Sequence, residues 1–320
     1  MNLLTVSFRV RVGASSAARA LQRSASQAPR ALRGHVSAAS AVVALLAAFG
    51  VFATGTLAHA RSTWLLPSST VLTASDKWVT VDAGASSAPF ENSVFPLGLD
   101  SLRITAPDGS AVAPQNALTG ALRSVFDVPL AQHGTYRLAA LEDNAYGIWK
   151  DAASGEERRW RGPAEQFAKA VPADARELQS GKMLHRTEVF VTVGAPGPVP
   201  AESPQYAGKG LELVPFTHPN DLVPDEEAEF GFLLNGEPVP NLRVTVTPGG
   251  FRWRDDLGER ILKTDGQGRM RITWPAAGQY LLYARVGELA GEEIPADAPK
   301  LPANSPYQFF FYAGTFEVLP

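Results

Sequence analysis

A chain of 320 residues, 45% hydrophobic with 9% aromatics, carries enough apolar material for two domains of ordinary size and is not a disordered polymer. It has no cysteine, which excludes disulfides, thiolate metal ligands, a cysteine nucleophile and a lipid-anchored cysteine together. The formal net charge is −3, but residues 1–60 hold six arginines and no acid; without them 23 basic residues face 32 acidic ones, a net of −9 that makes nucleic acid and anionic membranes poor partners and leaves cations admissible.

The first 35 residues mix Arg9, Arg11, Arg19, Arg23, Arg30 and Arg33 with alanine and serine, and residues 36–58 are uncharged and rich in Ala, Val, Leu and Phe. A basic segment, an apolar segment and small residues before a cut describe a secretory signal with a long leader. The competing reading is a membrane anchor, since the uncharged run approaches ~20 residues. Ala, Ser, Gly and Thr dilute that run and "AHA" follows it, so export with cleavage is expected. Cleavage after Ala58 would begin the mature chain at His59, whose amine and imidazole could chelate a metal. Cleavage after Ala60 is the better A-x-A match and discards His59. No later segment is apolar enough to span a bilayer, so a soluble periplasmic protein, not a lipoprotein, is expected.

Past Arg61 the chain reads as short strands separated by turn chemistry, which predicts an all-β protein of two immunoglobulin- or transthyretin-like sandwiches with a short helical insertion in the first. "KWVTVDA" (77–83) alternates, with Val79, Val81 and Ala83 on one side. Pro107, Asp108 and Gly109 mark a turn between two candidate strands. "GTYRLAAL" from Gly134 and the β-branched "TEVFVTVG" (187–194) are further strands of a first sandwich over residues 61–195. Residues 143–186 read as an insertion, crowded with charge and with Tyr146, Trp149 and Trp160. Within it Pro163 to Val171 could form a short helix that turns Phe167 and Val171 inward.

Residues 196–204 form a Pro-rich linker, and the second sandwich occupies 205–320. There Asn235-Gly236 signals a tight hairpin, Gly266 and Gly268 a glycine turn, and Pro275 to Gly278 a corner.

The run Gly236 to Val246 ("GEPVPNLRVTV"), followed by "TDGQGRMRI" (264–272) and Gly278-Gln279-Tyr280, resembles the transthyretin-like or carboxypeptidase-regulatory-like β-sandwich, in which these are strand and turn positions. Taken with "WLLPSSTVLTASDKWVTVDA" and "GLELVPFTHPNDL", the whole mature chain is similar to the bacterial domain-of-unknown-function family DUF4198. That resemblance implies a periplasmic protein related to components of nickel or cobalt uptake. A nearby outer-membrane receptor or uptake transporter would be its partner, and a Ni, Co, Fe, Cu or Zn ion its cargo. The family often carries a histidine three residues before the early tryptophan; here that position is Arg61, with His59 two places earlier.

Candidate chemistry is sparse. His133, His185 and His218 remain after either cut, and none forms H-x-H or H-E-x-x-H, so a metal site must be assembled in three dimensions, with Asp143, Glu188 or Asp221 as companions. Enzyme signatures are missing: no G-x-S-x-G, no phosphate-binding glycine loop, and "TDGQG" lacks the spacing of a calcium loop. A non-catalytic protein is expected, a carboxylate hydrolase being the residual alternative. In "EERRWRG" (156–162), Arg158 and Arg161 flank Trp160 and, with Trp149, are candidate contacts for a ligand or partner; the competing reading is a salt-bridged surface turn.

Overall fold

The computed structural model describes residues 62–91, 94–200, 207–287, 296–302 and 304–320; the leader, both cut sites, His59 and Arg61 lie outside the described residues. The strands in chain order are β1 (Ser62–Pro67), β2 (Val71–Leu72), β3 (Trp78–Ser86), β4 (Phe95–Pro96), β5 (Leu102–Thr105), β6 (Ala111–Val112), β7 (Gln115–Thr119), β8 (Arg123–Pro129), β9 (Gly134–Lys150) and β10 (Glu157–Pro163). After a helical turn, α1 (Phe167–Ala170), come β11 (Arg176–Val193), β12 (Leu211–Pro215), β13 (Glu227–Leu234), β14 (Glu237–Pro238), β15 (Arg243–Pro248), β16 (Arg260–Lys263), β17 (Arg269–Thr273), β18 (Gly278–Val286) and β19 (Phe309–Val318).

These strands make an all-β sandwich fold of three sheets. A central sheet runs β16-β15-β18-β19-β11-β9-β5-β6, with β10 added on β9 and β2 on β11. One outer sheet runs β1-β3-β8-β7, and the other is built from β12, β13, β14 and β17. Period-two patterning decides which residues face inward. On β3, Val79, Val81 and Ala83 are buried, and on β8 Phe126 and Val128; they pack with Tyr136, Leu138, Val189, Val191 and Val193 of the central sheet. On β17, Met270 and Ile272 join Phe230 and Phe232 of β13 against Leu282, Phe310, Tyr312 and Phe316. Each fully buried aromatic removes on the order of 150–250 Å2 from water, so these two clusters supply most of the drive to fold.

The two expected sandwiches therefore have separate cores but share a sheet. The joint is the parallel pairing of β11 with β19, from Met183↔Phe309 to Val189↔Thr315. Beneath it the ion pair between buried Arg137 and Glu188 lies beside Arg186, which donates to the carbonyls of Leu211 (3.1 Å) and Lys209 (2.8 Å) and sits 3.7 Å from Glu212.

Residues 143–186 do not interrupt the sheet, as their composition suggested. β9 and β11 extend into the segment from its two ends, paired from Gly134↔Val193 to Lys150↔Arg176 with a register irregularity between Arg176 and Gln179, and β10 extends the ribbon sideways. The helix is shorter than the span 163–171, being a helical turn at Ala164–Gln166 followed by α1. It does turn Val171 inward: Phe167 and Val171 both lie against Gly147, where a Cβ would come within 3.3 and 3.0 Å of them.

Turn chemistry follows the sequence closely. Asn235 and Gly236 both take positive φ (52° and 88°) and close the two-residue loop between Leu234 and Glu237. The acid of "TDGQG" is consumed by its own turn, since Asp265 accepts from the backbone N–H groups of Gln267 and Arg269, both at 2.9 Å.

Candidate functional site

The face of the central sheet that carries Tyr136, Leu138 and Ala140 continues along β9 to Glu142, a charged residue on an otherwise core-facing stripe. Across the ladder Glu142 pairs with His185, which pairs with Phe311 on β19, which pairs with Arg285 on β18. Directly opposed residues share a face, with Cβ atoms about 5 Å apart in an antiparallel pair. Carboxylate, imidazole, phenyl ring and guanidinium thus form one row across four strands. The row lies where the first core ends and the polar part of the ribbon begins.

β1 roofs this row. Thr63 on β1 places its hydroxyl 3.1 Å from His185 Nε2 and against the Thr187 hydroxyl, while the His185 and Phe311 ring centroids are 5.2 Å apart. His185 is buried, and that burial, reinforced by the positive charge of Arg161, lowers its pKa from 6.5 to about 3. It is therefore a neutral imidazole at physiological pH, the form in which imidazole binds a metal. Its Nδ1 has no hydrogen-bond partner among the described residues.

Glu142 is half-buried beneath Gly98, where a Cβ would lie 3.9 Å from its carboxylate oxygen. Burial raises its pKa, and the charge of Arg161 opposes the rise. No hydrogen bond or ion pair holds this carboxylate among the described residues. Arg161 on β10, opposite Tyr146, is exposed and likewise makes no ion pair among the described residues. Two ligand-competent groups side by side, with a free cation alongside, can hold a divalent ion through nitrogen and oxygen and attract the anionic part of a complex.

The other residues singled out in the sequence are placed elsewhere. His218 is fixed in a polar knot: its Nε2 bonds Thr135 Oγ1 at 2.9 Å, its Nδ1 accepts from the Asn220 N–H at 3.1 Å, and Thr135 and Asn220 both contact Thr192. Because Nδ1 accepts, Nε2 carries the proton and donates to Thr135. Desolvation lowers the pKa of His218, with the charge of Asp221 working the other way. Thr192 is seven residues from His185 along β11, about 23 Å at strand rise, so the two histidines cannot share an ion.

His133 is exposed in the turn between β8 and β9. Asp143 and Glu188 lie on the opposite sheet face from His185; Asp143 accepts from Tyr307 at 3.0 Å, and Glu188 is bound to Arg137. Among the described residues no group of three or more His, Asp or Glu side chains converges as a metal cluster.

"EERRWRG" is split by the strand it forms. Trp160 pairs with Gly147 and Arg158 with Trp149 on one face, while Arg159 and Arg161 point to the other. Trp160 meets Phe167 edge-on at 5.8 Å and lies over Gly162; Trp149 is buried, and Arg158 is bonded to Glu156 at 2.9 Å. The ribbon's aromatics pack against α1, and of the four candidate contacts Trp149, Arg158, Trp160 and Arg161 only Arg161 lies on the face of Glu142 and His185.

Sequence reasoning misses Glu142, which stands one residue before the expected insertion at 143–186. The available signal was the strict alternation Tyr136, Leu138, Ala140, Glu142, which puts a carboxylate in line with three core residues.

The fold and the row at its centre define an all-β sandwich protein with a half-buried polar site between a core and a ribbon. The chain belongs to the family described as "Domain of unknown function (DUF4198)", whose model matches residues 58–288. No curated protein matches it significantly. Among solved structures it is similar to the D0-D1 domain of Intimin, at 12% identity and a TM-score of 0.20 over 80% of this chain and 97% of that one. The two tandem V-type regions of VCBP3, a v-region-containing chitin binding protein, align at 8% identity and a TM-score of 0.20, covering 81% and 99%. A marsupial T cell receptor aligns at 12% and 0.17, covering 72% and 69%. Scores at this level carry no functional argument. Among the described residues no helix is long and apolar enough to cross a membrane.

Proposed function

We propose that this is an exported periplasmic protein that binds a transition metal, or its chelate, on behalf of an uptake system, without catalysing a reaction on it. One observation carries the reading: the unpaired Glu142 carboxylate and neutral His185 stand directly opposed on one sheet face, with uncommitted Arg161 beside them. Two protein ligands leave coordination positions open, and a chelator with its own carboxylates would fill them while Arg161 balances its charge. The cargo is a borderline ion such as Ni, Co, Cu, Zn or Fe, since the chain has no thiolate to offer. Calorimetric titration with each ion, free and as its citrate complex, tests the proposal; binding no tighter than about millimolar in every case rejects it.

A second reading, an interaction module that contacts an outer-membrane receptor or an envelope polymer, is favoured by β7. This edge strand is exposed throughout, with Leu118 at 69% and nearby Leu122 at 57%. An open apolar edge is a template for strand addition by a partner.

A further inference from the structure

The sheet face that carries His185 continues along β11 to Met183, the next residue of the same parity. The register repeats there: Met183 stands opposite Asn144 on β9 and beside Phe309 on β19. A second row, Asn144, Met183 and Phe309, thus runs next to Glu142, His185 and Phe311. One step further Gly181 stands opposite Tyr146, and its missing side chain leaves room for Gln308, which accepts from the Tyr146 hydroxyl and closes that end.

Met183 is 7% exposed, yet it belongs to none of the three apolar clusters that hold the sheets together. The other methionine beyond residue 60, Met270, is ordinary core filler between β13 and the central sheet. Neither core therefore accounts for burying the Met183 thioether. Residues two apart on a strand have Cα atoms about 7 Å apart, close enough for an imidazole and a flexible thioether on the same face to converge on one ion.

His185 supplies the second observation. It is 4% exposed, its Nε2 meets the Thr63 hydroxyl at 3.1 Å, and its Nδ1 has no partner among the described residues. With the proton on Nε2 and donated to Thr63, Nδ1 keeps its lone pair for an ion. The flank is apolar: Phe311 lies 5.2 Å from the His185 ring, and Phe309 stacks on Phe311 at 5.8 Å.

We infer that this face prefers monovalent copper, Cu(I), held between His185 Nδ1 and the Met183 thioether. The inference rests on the reading that Glu142 and His185 mark a metal site, and it narrows the cargo. A thioether is a soft ligand that selects Cu(I), whereas Ni(II), Co(II) and Zn(II) take the imidazole and the Glu142 carboxylate and gain little from sulfur. Charge points the same way: a single positive charge costs less to desolvate beside two phenyl rings than a double one, and the one carboxylate in the row balances it.

The test uses the intact chain and two probes. Cu(I) is offered as its bicinchoninate complex under ascorbate, whose colour fades as the ion transfers, and Ni(II) is titrated by calorimetry. One Cu(I) per chain is expected, with a sulfur neighbour in its X-ray absorption spectrum. Met183→Leu should weaken Cu(I) about tenfold or more and remove the sulfur signal, while Ni(II) affinity stays within about twofold. Leucine conserves the volume of methionine, so the fold is retained, and Met270→Leu in the other core should change neither ion. Cu(I) bound equally by the wild type and Met183→Leu, with Ni(II) still dependent on His185, overturns the thioether inference and leaves the metal-site reading standing. Indifference of both ions to His185→Gln, or no binding of either, overturns both.

Discussion

Replacing His185 by glutamine should flatten the acid sensitivity of the fold. In the folded chain this imidazole is 4% exposed, packed on Phe311 and bonded to Thr63, and its pKa falls from 6.5 to about 3. Between those two values the unfolded chain takes up a proton that the folded chain refuses. The contribution of neutral His185 is therefore fully present above pH 6.5 and is lost progressively as pH falls toward 3. At pH 5 the loss from this one group is about 2 kcal/mol, from ~1.4 kcal/mol per pH unit below the unfolded value. Glutamine can still hydrogen-bond Thr63 but cannot titrate. Urea denaturation of both chains from pH 7.5 to 5 should show the wild type losing about 2 kcal/mol more than His185→Gln, all other titrations being common to the two. Equal losses would refute the claim that His185 is buried in its neutral form.

Glu142 carries the opposite sign. Its pKa is raised by burial, so its ionised form costs stability above the folded value, and that cost fades as pH falls through it. Glu142→Gln should accordingly raise the urea midpoint at pH 7 while weakening metal binding at least tenfold, a trade expected of a site residue and not of a packing residue. Arg137→Met should cost about 3–5 kcal/mol in thermal unfolding by stranding buried Glu188, and adding Glu188→Leu should recover most of it. Trp160→Ala should loosen the ribbon against Phe167 yet leave metal titrations unchanged, since Trp160 and Arg161 face opposite ways. A change in affinity there would assign the ribbon's aromatic face to the site.

Much of the fold was legible because its signals are local. Val79, Val81 and Ala83 alternate as they pack, Asn235-Gly236 turns with both residues at positive φ, and the Asp108 turn closes as its proline and glycine dictate. The shared central sheet was not legible, because the pairing of β11 with β19 joins segments more than a hundred residues apart and no periodicity encodes it. The ribbon reads as an insertion for a related reason. Beyond the core, β9 and β11 have little to bury on one side, so their sequence loses the apolar stripe while the backbone ladder continues.

The site was only half visible. His185 and Arg161 were candidates by residue type, but their nearness depends on cross-strand register. The companions proposed by type, Asp143 and Glu188, fall on the far face because they differ from Glu142 and His185 in parity along their strands.

The proposed function requires Glu142 and His185 together to hold a metal cargo. Calorimetric titration of Ni(II) and its citrate complex into the wild type, Glu142→Gln and His185→Gln tests it most directly. One saturable site, tighter than about millimolar, is expected in the wild type, with a loss of at least about tenfold in each variant and the fold retained. Wild-type binding that both variants preserve, or no binding in any of the three, contradicts it.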